Sequence, residues 1–154
     1  MIIGLVSDTH GLVRPELTSA FDGVSLILHA GDVGGASVLE TLGRIAPVEA
    51  VFGNVDDPHD PSLARERSLT IDGVLIHLSH GHELGRPTPD LVLARYQGDV
   101  VVFGHTHRAV VVSSGQRIAI NPGAAGPRRF DVRPSVARLV IRGGRPDVEI
   151  ISLA

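Results

Sequence analysis

Residues 1–54 read MIIGLVSDTHGLVRPELTSAFDGVSLILHAGDVGGASVLETLGRIAPVEAVFGN, and this stretch decides the fold class. Three short apolar runs, MIIGLVS, SLILHAG and VEAVFGN, alternate in it with two segments of helical character, PELTSAFD and ASVLETLGRIA. Apolar runs of this length are typical of a parallel sheet that is buried on both faces, because helices cross over its surface. The stretch therefore predicts a β-α-β-α-β unit and an α/β fold.

The rest of the chain predicts mostly strands. RSLTIDGVLIHLSHG has the pattern of a hairpin that turns at Asp72-Gly73, and a helix is expected from Thr88-Pro89 through DLVLARYQ, with Thr88 as its N-cap. Strand-like runs follow from Val100 onward: VVVFG, RAVVVSS, RIAI, SVARLVIRG and DVEIISLA. We expect one domain over residues 1–154, in which a parallel or mixed sheet is followed by a more antiparallel half and two sheets pack face to face.

The composition is that of a globular chain, since 43% of the 154 residues are hydrophobic and 20% are charged. The longest apolar runs have strand length, well below the roughly 20 residues of a membrane span, so we expect no membrane association. The apolar N-terminus lacks basic residues and meets Asp8 at once, which predicts no signal peptide and a cytoplasmic location. A net charge of −3 without a basic stripe gives no signal for nucleic-acid binding.

Two residue types are missing from the sequence, and their absence limits the chemistry. There is no cysteine, which excludes disulfides, thiolate nucleophiles and thiolate zinc sites. All 14 basic residues are arginine, which excludes a lysine Schiff base and a P-loop lysine. Any metal site must therefore use oxygen and imidazole ligands, and the chain carries 8 histidines.

Polar side chains directly follow several of the apolar runs. These clusters are Asp8-Thr9-His10, Gly31-Asp32, Gly53-Asn54, His80-Gly81 and Gly104-His105-Thr106-His107. In open α/β sheets, ligands bind outside the carboxyl ends of the strands, so we expect the clusters to converge on one crevice. The glycines give the backbone the freedom that an abrupt strand end beneath a ligand requires.

Two clusters contain metal-binding residue types two positions apart, Asp8-x-His10 and His105-x-His107. In an extended backbone, side chains at i and i+2 point to the same side, so we expect each pair to bind metal. The spacing leaves open whether His105 and His107 serve one ion or two. Two carboxylates, four imidazoles and one amide are too many for a single tetrahedral zinc. Two ions about 3.5–4 Å apart that share a carboxylate would use all of them.

Taken in order, D-x-H, G-D, G-N-x-D, H-G-H and G-H-T-H resemble the motifs of the calcineurin-like metallophosphoesterase superfamily. The resemblance is closest to its small bacterial and archaeal phosphodiesterase branch, because NPGA at Asn121–Ala124 is similar to the N-P-G-S turn of that branch. It covers nearly the whole chain. It implies a four-layer α-β-β-α sandwich, in which two mixed β-sheets pack face to face between flanking helices.

The resemblance also implies two bound divalent cations and a role for each ligand. Asp8, His10 and His107 would hold the first cation, Asn54, His80 and His105 would hold the second, and Asp32 would bridge both. A shared carboxylate can offer one oxygen to each cation. Oxygen and imidazole ligands without sulfur favour Mn²⁺, Fe, Ni²⁺, Co²⁺ or Zn²⁺ over Cu(I), and Mn²⁺ is the ion that we expect.

The activity implied is hydrolysis of phosphodiester bonds in a small-molecule phosphoester, with phosphomonoesters as a further option, by attack of a hydroxide that bridges the cations. We expect catalysis to depend on Asp32, Asn54, His80 and His82. Where many members of the family have a histidine after the G-N pair, thought to protonate the leaving group, this chain has Val55. Valine cannot donate a proton, so His82 or a water would have to serve poor leaving groups.

Weaker functional candidates lie outside these motifs. We expect His29 to be a packed residue or an outer partner of a ligand, and His77 to be structural. Asp56 either orients a ligand or caps a loop. The pair His59-Asp60 is of a type that helical phosphohydrolases use for metal, but here it lies in a proline-flanked loop and we expect no metal there. Arg128-Arg129 are expected to be solvated, with contact to a substrate phosphate as the alternative.

Two rival interpretations were open at this level. Metallo-β-lactamase-like hydrolases need H-x-H-x-D-H, and the aspartate and third histidine are missing after His107. The other rival is a non-catalytic, protein-binding scaffold, like the retromer subunit that keeps the metallophosphoesterase fold. A scaffold is free to lose ligands, whereas every ligand position is filled in this sequence. The sequence selects neither the natural substrate nor the oligomeric state, for which a homodimer is one option.

Overall fold

The computed structural model describes residues 1–129 and 131–154. Over these residues the chain forms ten β-strands and three α-helices. In chain order they are β1 (Ile2–Val6), α1 (Glu16–Ala20), β2 (Leu26–His29), α2 (Ala36–Gly43), β3 (Val48–Ala50), β4 (Glu66–Ile71), β5 (Val74–Ser79), α3 (Pro89–Arg95), β6 (Val100–Val102), β7 (Val110–Ser114), β8 (Arg117–Asn121), β9 (Ser135–Arg142) and β10 (Arg145–Ser152). A single 3₁₀ turn, His82–Leu84, follows β5.

The strands form two mixed five-stranded sheets. The first sheet has the order β10-β9-β1-β2-β3, and the second has the order β4-β5-β6-β8-β7. The predicted β-α-β-α-β unit is confirmed, because β1, β2 and β3 pair in parallel with α1 and α2 between them. In the second sheet, β5 pairs in parallel with β6, and β6 with β8.

The later half of the chain is more antiparallel, as expected, but its strands are divided between the two sheets. The hairpin β9–β10 returns to the first sheet, where β9 pairs antiparallel with β1. Without β9, the backbone N–H and C=O groups on one side of β1 would lack partners in the core. Both faces of β9 carry buried apolar residues, such as Val136, Ala137, Leu139 and Ile141, which suits a strand in the interior of a sheet.

Apolar side chains fill three layers and explain the sandwich. Between the two sheets, Ile3 and Leu5 of β1 pack in one cluster with Ile76 and Leu78 of β5. On the outer face of the first sheet, the core includes Leu17, Phe21, Val38 and Leu42 from the region of α1 and α2. On the outer face of the second sheet, Val92, Tyr96, Val101 and Phe103 form the third cluster. The expected four-layer α-β-β-α arrangement is therefore confirmed.

Local signals in the sequence also have their predicted effect. The β4–β5 hairpin turns at Asp72-Gly73, with φ angles of 48° and 78°. Thr88 caps α3, since its Oγ1 accepts a hydrogen bond from the backbone N–H of Leu91 at 3.3 Å. None of the helices formed by the described residues is long and apolar enough to cross a membrane.

Candidate metal centre

The candidate ligands lie in loops just beyond the strands, and most have an unusual backbone. Their φ angles are 55° at Asp8, 46° at His10, 54° at Asp32, 73° at His105 and 65° at His107. Residues other than glycine rarely adopt this left-handed region, at a cost on the order of 1–3 kcal/mol each. The expectation that the D-x-H and H-x-H pairs are extended is therefore wrong. Since β1 ends at Val6 and β6 at Val102, both pairs lie where the chain turns away from the sheet.

Two glycines let neighbouring backbone approach the carboxylates closely. A Cβ at Gly53 would overlap Asp32 Oδ1, and a Cβ at Gly104 would overlap Ser7 Oγ and lie 2.7 Å from Asp8 Oδ2. Any larger residue at either position would displace a carboxylate. The glycines of the G-N and G-H dipeptides are therefore needed at the site for steric reasons.

The first group of ligands consists of Asp8, His10 and His107, and their ligand atoms all lie within 4.8 Å of one another. Asp8 Oδ1 is 3.3 Å from His107 Nε2 and 3.9 Å from His10 Nε2. Asp8 is fully buried, whereas the two histidines are partly exposed. The loops after β1 and β6 therefore build this group together.

The second group consists of Asp32, His80 and His105, again with ligand atoms within 4.8 Å of one another. Asp32 Oδ2 is 3.3 Å from His80 Nε2. Asn54 joins this group, since its Oδ1 lies 3.0 Å from His80 Nε2 and 3.1 Å from His105 Nδ1. His105 and His107 thus fall into different groups, a point that their spacing alone left open.

The two groups are in contact through the carboxylate of Asp32. Its Oδ2 is 3.7 Å from His10 Nε2 in the first group as well as 3.3 Å from His80 Nε2 in the second. Its Oδ1 accepts a hydrogen bond from the backbone N–H of Val55 at 3.0 Å. Asp32 Oδ2 thus lies near a histidine of each group, and the expectation of one oxygen for each cation stays a prediction.

The charges of these residues support one another. Burial opposes ionisation of Asp8, but contact with His107 and the charge of His80 hold its pKa below the ordinary value. Burial opposes ionisation of Asp32 too, and the contact with His80 outweighs it and lowers the pKa to about 2. Burial lowers the pKa of His80, but both carboxylates raise it, and the net change is a rise. The protein therefore stabilises positive charge between two ionised carboxylates, and a bound cation would take the place of the proton on His80.

The residues present fit divalent cations. Asp8 Oδ1 and His10 Nε2 are buried atoms that have no hydrogen-bond partner among the described residues. A buried, ionised oxygen without a partner is costly, and a cation would remove that cost. Carboxylate, imidazole and amide ligands without sulfur also suit Mn²⁺, Zn²⁺ and related divalent ions.

Outer partners that were not expected from the sequence hold several ligands in place. His80 Nδ1 lies 2.8 Å from the carbonyl oxygen of Ala30, to which it donates, so Nε2 is left to face the site. Asp8 Oδ2 accepts hydrogen bonds from Ser7 Oγ at 2.5 Å and from the backbone N–H of His105 at 3.2 Å. A carbonyl oxygen carries no sequence signal, whereas Ser7 could have been noticed as the direct neighbour of Asp8.

His29 is fully buried beneath the site and connects two of its loops. Its Nδ1 accepts a hydrogen bond from the backbone N–H of Gly31 at 3.1 Å, so Nε2 carries the proton and donates to Thr9 Oγ1 at 3.0 Å. Thr9 Oγ1 in turn donates to the carbonyl oxygen of Val33 at 2.7 Å. Burial lowers the pKa of His29 to about 4, against the opposing charge of Asp8, so the ring is neutral at pH 7.

Asp56 joins the loops that follow β2 and β3. Its carboxylate accepts hydrogen bonds from the backbone N–H groups of Val33, Gly34 and Gly53, at 3.0, 3.1 and 2.9 Å. Asp56 was expected either to orient a ligand or to cap a loop. It caps two loops, and these loops carry the ligands Asp32 and Asn54. It does not belong to either ligand group.

The other candidates lie at varying distances from the ligands. His82 is beside the second group, with its ring centroid 5.3 Å from that of His80 and 6.4 Å from that of His105. His77 lies away from the site, stacked on Tyr96. His59-Asp60 and the exposed Arg128-Arg129 belong to neither ligand group found among residues 1–129 and 131–154.

Comparison with known proteins shows relatives in archaea and bacteria. The chain is 39% identical to a probable metallophosphoesterase of Methanothermobacter thermautotrophicus, in an alignment that covers 98% of this chain and 92% of the relative. Among solved structures, it is similar to wild-type Vps29 complexed with Zn²⁺ from Entamoeba histolytica, with a TM-score of 0.81 over 99% of each chain. It is also similar to an archaeal phosphodiesterase, with a TM-score of 0.74 over 98% of this chain and 100% of that one. Sequence identity to both structures is 22%, so these two similarities show a shared fold.

The family comparison covers nearly all of the sequence. The model of the calcineurin-like phosphoesterase superfamily domain matches residues 1–144, which include both ligand groups and all strands from β1 to β9. This match agrees with the resemblance seen in the motifs. The chain therefore belongs to the calcineurin-like phosphoesterase superfamily.

Proposed function

We propose that this protein is a phosphodiesterase that works with two divalent cations. Asp8, His10 and His107 would hold one cation, Asn54, His80 and His105 the other, and Asp32 would be shared between them. The shared Asp32 Oδ2 carries the proposal, because it lies within 4 Å of a histidine nitrogen from each group. When bound, the cations would activate a water molecule as hydroxide near neutral pH and neutralise charge on the phosphate.

The protein's own residues prepare the site for this chemistry. Asp8 and Asp32 supply two negative charges, and Asn54 adds an oxygen ligand without adding charge. His80 is fixed in one tautomer by the carbonyl oxygen of Ala30, so its Nε2 needs no reorientation to bind. The backbone at Asp8 and Asp32 is left-handed, and the hydrogen bonds that their carboxylates accept help to hold this strained conformation.

Departure of the leaving group receives little help from Val55. The residue is 57% exposed, and its backbone N–H contacts the site by donating to Asp32 Oδ1. His82 lies beside the second group, and we assign it to the substrate as a hydrogen-bonding partner of a phosphate oxygen. Esters whose alcohol leaves readily as an anion should therefore be hydrolysed fastest.

Mn²⁺ is the ion that we propose for activity in vitro. The ligands combine hard oxygen with imidazole, a mixture that Mn²⁺, Fe, Ni²⁺, Co²⁺ and Zn²⁺ all accept. Phosphodiesters are the proposed substrates, and phosphomonoesters are a second class to be measured beside them. The location remains the cytoplasm in this proposal, as the sequence predicts.

The rival function is a protein-binding scaffold, and the similarity in fold to Vps29 is the reason to consider it. The buried carboxylates favour catalysis over this rival. A scaffold gains nothing from an unpartnered buried oxygen and strained ligand loops, since each of these costs stability. Replacing them with apolar residues would be the easier way to keep a purely structural fold.

The experiment that tests the proposal is the substitution Asp32→Ala, with Asp22→Ala as the matched control at an exposed carboxylate. Bound metal is measured after loading with Mn²⁺, and hydrolysis of bis-p-nitrophenyl phosphate is measured with Mn²⁺ and after chelation. We expect about two ions per chain in the wild type and in Asp22→Ala. In Asp32→Ala, activity should fall by more than the roughly 10–100-fold that loss of an outer partner costs. Full activity in Asp32→Ala would exclude the two-cation mechanism.

A further inference from the structure

A small cavity lies in the loops that carry Asp32 and Asn54 of the second ligand group. Its volume is about 190 Å³, and two of its lining residues, Val33 and Val55, are the chain neighbours of Asp32 and Asn54. The backbone N–H of Val55 also donates to Asp32, so the cavity and the shared carboxylate meet at one residue. Val55 is thus the point at which a substituent of a phosphoester held at the ligand cluster would enter the cavity.

The wall of the cavity is apolar, and its rim is acidic. Val33, Val55, Leu39 and Leu63 line it, together with Ala36 at the start of α2. The charged residues that line it are Asp56, Asp57 and Asp60. Among the described lining residues there is no histidine, lysine or arginine, so no lining side chain attracts an anion.

We propose that this cavity receives an uncharged organic substituent of the phosphoester, no larger than a single ring. This inference rests on the function proposed above and narrows its substrate class. It assigns substrate selection to the loop 55–63 and the first turn of α2, none of which supplies a ligand to either group. Nucleotides and other substituents that carry further negative charge are excluded from the cavity.

The size of the cavity limits the substituent. A dry cavity of about 150 Å³ is sufficient for benzene, and most ligand sites measure about 300–1,000 Å³. A volume of about 190 Å³ therefore accepts one aromatic ring or a short aliphatic chain, but not a purine nucleoside. Apolar walls favour such a group because its burial removes apolar surface from water.

The negative charge of the rim determines which substituents the cavity accepts. Asp56 uses its oxygens for three backbone N–H groups, so it faces the loops more than the cavity. Asp60 accepts hydrogen bonds from the N–H and the hydroxyl of Ser62, which hold its pKa below the ordinary value. Asp57 accepts a hydrogen bond from the N–H of His59. Asp57 and Asp60 thus present negative charge, which repels an anionic substituent.

The first experiment fills the cavity from its wall. Ala36→Trp adds bulk inside it, whereas Ser37→Trp adds the same bulk at the next exposed residue of α2, which does not line it. With bis-p-nitrophenyl phosphate and Mn²⁺, Ala36→Trp should raise KM about tenfold with a smaller change in kcat. Ser37→Trp should behave as the wild type, and thermal melting checks that both variants fold.

The second experiment tests the charge of the rim. The substrates are p-nitrophenyl phenyl phosphate and its 4-carboxyphenyl analogue. The wild type should prefer the neutral ester about fivefold in kcat/KM, and the double variant Asp57→Asn/Asp60→Asn should lose that preference. The control Glu16→Asn/Glu40→Asn removes two exposed acidic charges outside the cavity and should keep it.

The outcomes separate this inference from the proposed function. If the wild type hydrolyses none of these esters with metal present, the phosphodiesterase proposal fails and the inference falls with it. If the wild type is active but Ala36→Trp and Ser37→Trp share its KM, the inference alone is overturned. Equal rates of the wild type on the neutral and anionic esters would also overturn it.

Discussion

In two regions of the molecule, histidine side chains lie against different kinds of neighbour. At the ligand cluster, the imidazole nitrogens of His10, His80 and His107 lie within 4 Å of carboxylate oxygens. On the outer side of the second sheet, His77 is 4% exposed and stacks on Tyr96, with ring centroids 4.3 Å apart and planes at 16°. Each region leaves a buried imidazole nitrogen without a hydrogen-bond partner among the described residues.

The difference between the regions lies in the groups that face each unpartnered nitrogen. His10 Nε2 faces the ionised carboxylates of Asp8 and Asp32, an arrangement that a cation completes. The ring of His77 instead stacks on the ring of Tyr96, and burial lowers the pKa of His77. His77 therefore packs as a neutral, largely apolar ring whose Nε2 makes no hydrogen bond among the described residues. A buried histidine therefore indicates function only together with the charge of its neighbours.

Removal of cations should give the largest effect and should act on one region alone. Chelation should reduce phosphodiesterase activity to background and lower the melting temperature, because ions at about 100 times their dissociation constant contribute about 2.7 kcal/mol. Activity and melting are measured before and after chelation, and again after Mn²⁺ is restored. The variant His77→Phe should respond as the wild type does. If chelation changed neither the melting temperature nor the activity, the assignment of the ligands would be contradicted.

Substitution of His29 should give the next largest effect. His29→Ala removes the connection between the loops that carry Asp8 and Asp32, and we expect metal affinity or activity to fall about 10–100-fold. His77→Ala is the matched control, since it removes another buried imidazole of the same size. Metal titration and steady-state kinetics give the comparison. Equal losses of metal affinity in the two variants would show that His29 acts only through packing.

Acid should destabilise the protein through His29 over a defined range of pH. Its pKa falls from 6.5 in the unfolded chain to about 4 in the fold, so the unfolded state binds the proton first as the pH drops. The neutral ring's contribution is intact above pH 6.5 and is lost as the pH falls towards 4, by about 3 kcal/mol in total. Urea unfolding of metal-free protein at several pH values measures this. In His29→Gln the free energy of unfolding should fall less steeply between these values, and parallel curves would refute the prediction.

The smallest effect is expected for His77→Phe. Phenylalanine keeps the stack on Tyr96 and removes the nitrogen that has no partner, so the free energy of unfolding should stay the same or rise by up to about 1 kcal/mol. Activity with Mn²⁺ should remain within about twofold of the wild type. Denaturation and kinetics on the same preparation check both statements. A large loss of activity would mean that His77 takes part in the site through α3 or β5.

Much of this molecule follows from local sequence patterns. The alternation in residues 1–54 suffices for the parallel unit, and Asp72-Gly73 and Thr88 act within a few residues of themselves. The identity of the ligand residues also follows from position, because parallel strands place their carboxyl ends at one edge. Polar residues directly after the parallel strands of one sheet therefore lie close together, whereas the meeting of the clusters from the two sheets depends on how the sheets pack.

Only the tertiary structure decided how these residues are arranged. The left-handed turns that separate His105 from His107, the single oxygen of Asp32 that faces both groups, and the return of β9 to β1 have no local signal. Neither do the contacts of His29 with Thr9 and of His80 with Ala30, whose partners lie 20 and 50 positions away. Such features depend on which surfaces pack together, and packing is settled by the whole chain at once. Residue type and strand position therefore specified the chemistry, while the folded contacts specified its geometry.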